Sequence, residues 1–313
     1  MLSILTASAR SAQFAGRGSI RFLQAAFLFL FGITFAAPAL AQERFSLFVP
    51  TVQNDVVRMI KLAGVRDGDM VYDLGSGDGR IVLEAARINP KVRGRGIEID
   101  LKLVEDSRKV AQASGVADRV EFLHQNAYDA DLKEATVIAM WLWPEFMRLL
   151  RTKILAEAQP GTRIITRTWD LGEWKPDVTD NDGTPIFKWI VPAKVEGNWN
   201  WTLDLPKGAR SYAAVFEQRF QVVEGVVRTG YRRNVFENMK LTGDEISFRL
   251  LMTLNDLGLT RHEFKGRVRG DVIEGTVEIF FDIHQPTLNL PWRAQRAATS
   301  AFFARDTGTD LSK

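Results

Sequence analysis

The stretch Val71-Tyr72-Asp73-Leu74-Gly75-Ser76-Gly77-Asp78-Gly79-Arg80 decides how the chain reads. Residues 70–74 form a short apolar run, as a buried strand does. Three glycines at alternate positions follow, and then an apolar-periodic segment through Ile81, Val82, Ala85 and Ala86. Strand, glycine loop and helix in that order make a ligand-binding turn. A dinucleotide fold calls for Gly-x-Gly-x-x-Gly. Here the spacing is Gly75-x-Gly77-x-Gly79, with Asp73 two residues ahead of the first glycine. The tighter spacing suits a cofactor without a pyrophosphate. Glycines admit the backbone where a side chain would collide, and an acid beside the loop suits an ammonium group. These features point to S-adenosyl-L-methionine, whose methionyl end carries that ammonium.

Alternation of strands and helices continues outward from this loop. Val56, Met59, Ile60 and Ala63 share one helical face, so a helix is expected over 51–63 with Thr51 as its cap. Strands are expected over 95–99, 120–123, 135–142 and 162–168, and helices over 101–114 and 144–157. The pattern predicts an α/β fold: a Rossmann-like parallel sheet with helices on both faces. Ligands in such sheets sit beyond the carboxyl ends of the strands.

That rule selects further cofactor-site candidates. Glu98 closes the second strand 19 residues after Gly79, near the spacing at which an acid accepts from ribose hydroxyls. Asn126 and Ala127 follow the third strand and would flank an adenine, with Asp129 as a competing partner. The cofactor set is therefore Asp73, Gly75, Ser76, Gly77, Asp78, Gly79, Glu98, Asn126 and Ala127. Trp141 and Trp143 follow the fourth strand, just before Pro144. Their rings could hold a cationic sulfonium or amine, or could simply be core. No metal site is expected. The chain has no cysteine, and its three histidines, His124, His262 and His284, have no ligand spacing.

Near Pro192 the period changes from helical to two. Tyr212, Ala214, Phe216, Phe220 and Val222 share one parity, as do Ile246, Phe248, Leu250, Met252 and Leu254, and Val277, Ile279, Phe281 and Ile283. An antiparallel β domain over 194–290 is expected, as a sheet or partial barrel packed on the first domain. Two similar elements, Gly243-Asp244-Glu245-Ile246 and Gly270-Asp271-Val272-Ile273, read as hairpins. Trp199 and Trp201 share a parity and could point into the junction or into a core. The tail over 291–313 is expected to begin as a helix.

The first 41 residues read as a signal peptide. Arg10, Arg17 and Arg21 precede the apolar run Phe22–Phe35, and Ala39-Leu40-Ala41 has the small-x-small form of a cleavage site. The run is short for a stable membrane span, which takes about 20 residues. Export, to a periplasm in a bacterial setting, with cleavage after Ala41 is the expectation. An uncleaved membrane anchor is the alternative. Without the leader the chain carries 38 basic and 38 acidic side chains. That balance argues against nucleic acid as a partner, since such binders show a basic excess.

The blocks Asp73–Arg80, the Glu98 strand, Trp143-Pro144-Glu145 and Trp174-Lys175-Pro176-Asp177 occur in this order. Together they resemble the seven-strand protein-lysine methyltransferases related to the mitochondrial ATP-synthase c-subunit lysine methyltransferase, and more closely a group of exported bacterial relatives. The resemblance spans 46–193. It implies a class I fold, S-adenosylmethionine as cofactor and a lysine acceptor. Val49-Pro50-Thr51 looks like the family's segment near the substrate entrance, which adds Pro50 and Thr51 to Trp141, Trp143 and Pro144 on the acceptor side. The alternatives are a small-molecule methyltransferase and an exported nucleoside-ligand-binding protein without turnover. No catalytic base is singled out.

Overall fold

The computed structural model describes residues 48–255, 257–281, 287–299 and 302. The leader, Ile283 and His284 lie outside them. The described chain carries two sheets. The first runs α1 (Gln53–Ala63), β1 (Met70–Leu74), α2 (Arg80–Ile88), β2 (Arg93–Glu98), α3 (Leu101–Ala113), β3 (Val120–His124), β4 (Val137–Met140), α4 (Pro144–Glu157), β5 (Arg163–Arg167), β6 (Val178–Asp180) and β7 (Ile186–Ile190). Strand order is β3-β2-β1-β4-β5-β7-β6. The first five strands are parallel, and β7 pairs antiparallel with both β5 and β6.

Each residue of β1 is buried, because β1 lies between β2 and β4 with helices on both faces. Order reverses at β1: the chain leaves towards β2 and β3, then returns to β4 on the other side. A crevice therefore opens at the carboxyl end of β1. On α1, Val56, Met59, Ile60 and Ala63 are buried as their spacing requires. Thr51 does not cap that helix. Val52 holds the N-cap position and no side chain bonds the first turn. The short strands β6 and β7 escaped the periodicity reading. Val178–Asp180 is too brief to show a period, and Phe187 and Lys188 sit side by side on β7, where alternation fails.

The second sheet has nine antiparallel strands: β8 (Gly197–Leu205), β9 (Gly208–Arg219), β10 (Val222–Thr229), β11 (Arg232–Val235), β12 (Glu237–Thr242), β13 (Glu245–Leu254), β14 (Gly258–Arg269), β15 (Val272–Phe280) and β16 (Leu288–Ala297). Its edges are β11 and β12, which are consecutive in sequence and joined through Phe236. The Phe236 amide donates to the Gly225 carbonyl of β10 at 3.0 Å. The sheet thus curls back on itself towards a barrel, which leaves little free edge. Gly243 and Gly270 take the first turn position of two hairpins, with φ of 59° and 61°.

The barrel encloses Trp199, Trp201, Tyr212, Phe216, Phe236, Phe248, Phe264 and Trp292. Trp199 and Trp201 are therefore in this core and not at the junction. Two other expectations change. The stretch after Pro291 continues β16 as strand through Ala297 instead of forming a helix. Phe220 and Val222 leave the buried parity of β9, because the strand ends at Arg219 and the turn resets the register. Val222 is 61% exposed.

A cofactor cavity at the carboxyl end of the parallel sheet

A cavity of about 830 Å³, counted to its open mouth, lies at the ends of β1, β2 and β4. Its floor is the glycine loop. The amides of Gly75 and Ser76 both donate to the Ile97 carbonyl, at 2.8 and 3.0 Å, which turns the chain sharply off β1. Gly77 has φ of +54°, and a Cβ there would stand 2.3 Å from the Phe48 ring. Gly79 differs. A Cβ on it would meet Phe122 and the Ser107 hydroxyl behind the loop, and Gly79 does not line the cavity. Its freedom serves the packing of α2 against β3, and the structure places it behind the loop rather than on the cavity wall.

Glu98 is 9% exposed and holds the loop from β2. Its Oε2 accepts from the Gly77 amide at 2.8 Å, and its Oε1 accepts from the amides of Ile99 and Asp100 at 2.8 and 2.9 Å. A carboxylate has roughly four acceptor positions, so little capacity is left for a hydroxyl unless the Gly77 contact yields. Asp73 is the contrasting acid. It is 2% exposed, faces the cavity and accepts no hydrogen bond among the described residues. Burial pushes its carboxyl well above the usual range, and the charges of Glu98 and Asp78 push it further.

Asp78 is raised by burial, but its hydrogen bonds and charge pairing with Arg80 outweigh that and leave it below the usual range. The Arg80 Nε donates to Asp78 Oδ1 at 2.8 Å, and its Nη1 donates to the Thr51 carbonyl. Arg80 so ties the entering segment Phe48–Thr51 to the glycine loop. Pro50 and Thr51 line the cavity with Phe48 and Val49.

On the far wall stand Gln125, Asn126 and Ala127. Asn126 spends its Oδ1 on the Tyr128 amide at 2.9 Å, which leaves its NH₂ for a ligand. Asp129 is exposed, and its backbone carbonyl takes the Gln125 side chain. At the end of β4, Trp141 lines the cavity while Trp143 and Pro144 do not. Trp143 is 52% exposed at the N-cap of α4, and Pro144 opens that helix at its first turn. These two are helix-start residues, not walls.

Several walls had no signal in the sequence reading. Ile97, Ile99 and Leu142 are strand-end residues that counting from the strand termini could have found. Phe48 and Phe146 reach the cavity only through the tertiary return of their segments. The titratable side chains that line the cavity are Asp73, Asp78, Arg80 and Glu98. No histidine, lysine or tyrosine lines it among the described residues.

Behind Trp141 lies a charged cluster. The Arg167 guanidinium, at the end of β5, stands 4.4 Å from the centre of the Trp141 ring system. Its Nε donates to Asp55 Oδ2 at 2.6 Å, and Arg58 donates to Asp55 Oδ1 at 2.9 Å. Arg58 also pairs with Asp180 at 3.0 Å. Burial raises the Asp55 carboxyl, but its bonds to Arg167 and Arg58 outweigh that and hold it below the usual range.

The residues present fit S-adenosylmethionine. A buried acid without a donor faces the cavity and suits an ammonium, the Ser76 hydroxyl is buried and unpaired, and Asn126 offers an amide beside an apolar wall. A family model described as the ANTKMT methyltransferase domain matches residues 73–178. A protein-lysine N-methyltransferase of Saccharolobus islandicus is 34% identical over 129 residues, covering 41% of this chain and 80% of the relative. An ATP synthase c-subunit lysine N-methyltransferase of Rattus norvegicus is 33% identical over 150 residues, covering 48% and 67%. A crystal structure of an RNA methyltransferase from Salinibacter ruber, in complex with S-adenosyl-L-homocysteine, is 44% identical. It covers 47% of this chain and 96% of its own, with a TM-score of 0.46. Most of the cavity lining falls within the residues the family model matches, and the chain belongs to the protein-lysine methyltransferase family of class I enzymes and is an S-adenosylmethionine-dependent methyltransferase.

Proposed function

We propose that this enzyme N-methylates lysine side chains of a protein partner, outside the cytoplasm. The observation that supports the reading is the similarity of this chain to two lysine methyltransferases, together with a methyltransferase family model that matches residues 73–178. When bound, S-adenosylmethionine supplies an electrophilic methyl group on a sulfonium sulfur. Asp73 takes the methionyl ammonium in this reading, which gives its buried carboxylate the cation it lacks. Glu98 holds the Gly77 amide and presents its remaining acceptor capacity to a ribose hydroxyl. Asn126 and Ala127 flank the adenine. Pro50, Thr51 and Trp141 guide the acceptor amine from the mouth.

No lining side chain is placed to act as a general base for an amine. The acceptor therefore enters as a neutral amine, and orientation in line with the methyl carries the rate. The nine-stranded sheet contributes no described residue to the cavity. Among the described residues the lining comes from the methyltransferase domain, which favours a side chain on a macromolecule over an enclosed small molecule.

The full chain, incubated with a proteome from its own cells and isotopically labelled cofactor, should label protein lysines by mass spectrometry. Label confined to RNA or to small molecules would overturn the lysine reading. Export rests on the Arg10–Ala41 pattern. N-terminal sequencing of protein from native cells should begin at Gln42, and a cytosolic protein beginning at Met1 would refute it.

A further inference from the structure

We propose that Arg167 is a selectivity residue that acts through Trp141, disfavouring the ammonium form of the incoming lysine and favouring the neutral amine. The inference rests on the lysine reading above. It answers a chemical need. Methyl transfer uses the nitrogen lone pair, and a lysine in water at neutral pH is almost wholly protonated. The amine must lose its proton to solvent before it reacts. Its lone pair then forms the nitrogen–carbon bond as the sulfur–carbon bond breaks, and the bonding pair goes to sulfur.

Trp141 is an aromatic wall of the cavity, but it is not a simple cation site. One face of its ring already carries the Arg167 guanidinium at 4.4 Å. A cation on one face draws on the same ring quadrupole that would attract a second cation. The ring surface left to the cavity therefore suits an aliphatic stem and a neutral nitrogen better than an ammonium. The like charge behind the ring adds repulsion that lowers the acceptor's pKa.

The cation is fixed in place. Arg167 is largely buried, with Asp55 at 2.6 Å and the Thr184 hydroxyl at 3.3 Å. Asp55 alone would neutralise it. However, Asp55 also takes Arg58 from α1, which Asp180 of β6 holds in turn. Two arginines thus share two carboxylates, and Arg167 is the arginine that lies on the ring. From the remaining sides the acceptor faces Asp73 of β1, Glu98 of β2, and Asp78 with Arg80 on the glycine loop. Arg80 is paired with Asp78, Glu98 accepts from three backbone amides, and Asp73 is assigned to the cofactor's ammonium. None of these is placed to accept the acceptor's proton in the filled site.

The test is the pH profile of kcat, which reports groups in the bound complex. The full-length enzyme is assayed on a lysine peptide drawn from the proteins labelled in the proteome experiment. In Arg167→Met the acid limb of kcat should move up by on the order of one pH unit, the size of one like-charge interaction at short range. At neutral pH kcat then falls about tenfold and recovers in alkaline buffer. Arg167→Lys keeps the charge and should keep the wild-type limb. Cofactor affinity should change by less than about threefold in both, since Arg167 does not line the cavity. Arg167→Met leaves Asp55 with one cation fewer. The double variant Asp55→Asn/Arg167→Met removes the ion pair together and, because only its cation lies on the ring, should move the limb in the same direction by less; it serves if the single variant does not fold. A shifted limb in either neutral variant, kept at wild type by lysine, supports the assignment. A wild type that labels lysine while the neutral variants keep its limb overturns this inference alone. A wild type that labels no lysine overturns it together with the reading beneath it.

Discussion

The ring of Phe220 lies stacked on the indole of Trp174, with centroids 5.8 Å apart and 11° between the planes. Phe220 is at the tip of the β9–β10 hairpin with φ of 58°, and Trp174 belongs to the core of the methyltransferase sheet. The guanidinium of Arg151 covers the Phe220 ring at 5.5 Å, and Gln221 donates to the Lys175 carbonyl at 2.8 Å. A second contact lies between the Gly243 turn and Gly161, where the Ala193 amide donates to the Gly243 carbonyl at 2.7 Å. Gly161 precedes β5 and so marks the amino ends of the strands, while the cavity lies at their carboxyl ends. The barrel thus braces the sheet away from the chemistry.

Phe220→Ala should destabilise the protein by about 1–3 kcal/mol, less than the loss of a fully buried ring. Denaturant unfolding should lose cooperativity between the two sheets, while calorimetry finds cofactor affinity nearly unchanged. A large fall in affinity would contradict the bracing role.

The raised carboxyl of Asp73 gives the cofactor-free protein a defined pH response. The folded state keeps a proton there that an unfolded aspartate has released. Stability from this site is therefore full at acid pH and is lost as pH rises from the ordinary aspartate range through the raised value. Asp73→Asn removes that loss. It should melt above wild type at neutral pH without cofactor and gain almost nothing when cofactor is added. Melting temperatures across an acid-to-neutral series check both statements. A variant stabilised by cofactor as strongly as wild type would dismiss the role of Asp73.

Glu98→Ala should weaken cofactor binding by about 1–3 kcal/mol, the order for hydrogen bonds to a charged group. It should also lower the melting temperature of the cofactor-free protein, because the amides of Gly77, Ile99 and Asp100 lose their acceptor. Calorimetry and thermal scans read the two effects separately. Unchanged stability would mean that water replaces the carboxylate without loss.

Gly77→Val should abolish cofactor binding. The new side chain meets the Phe48 ring and must adopt a positive φ, which β-branched residues strongly resist. Adding Phe48→Ala should restore folding in part but not binding, which equilibrium titration would reveal.

His262 sits inside the barrel with its Nε2 3.4 Å from the Tyr212 hydroxyl, and burial lowers its pKa to about 4. The unfolded chain takes up that proton from about pH 6.5 downward, and the folded barrel takes it up only near pH 4. Stability from this site is therefore present above the unfolded value and is lost as pH falls through the interval. His262→Phe should flatten the acid limb of the stability profile measured by urea unfolding. An acid limb identical to wild type would place the sensitivity elsewhere.

Much of this protein is determined locally. The run 70–80 specifies strand, loop and helix because an apolar strand, three glycines and a periodic helix succeed each other within hydrogen-bonding range. The same is true of Glu98, which falls at a strand end, and of the hairpins at Gly243 and Gly270, where glycine takes a positive φ without strain. The alternation of Ile246–Leu254 survives intact because one face of β13 is buried along its whole length. Other features depend on groups that meet only after folding. Phe48 reaches Gly77 across 29 positions, and Arg167 reaches Asp55 across 112. Phe220 keeps the parity of its strand in sequence, yet a turn sends it into the other sheet. Trp141 and Trp143 are alike in composition and spacing, and only the direction in which β4 ends puts one on the cavity wall and the other in solvent. Periodicity reports which face of an element is buried. It carries no information about which distant side chain will cover that face, because that choice is made by the packing of whole elements.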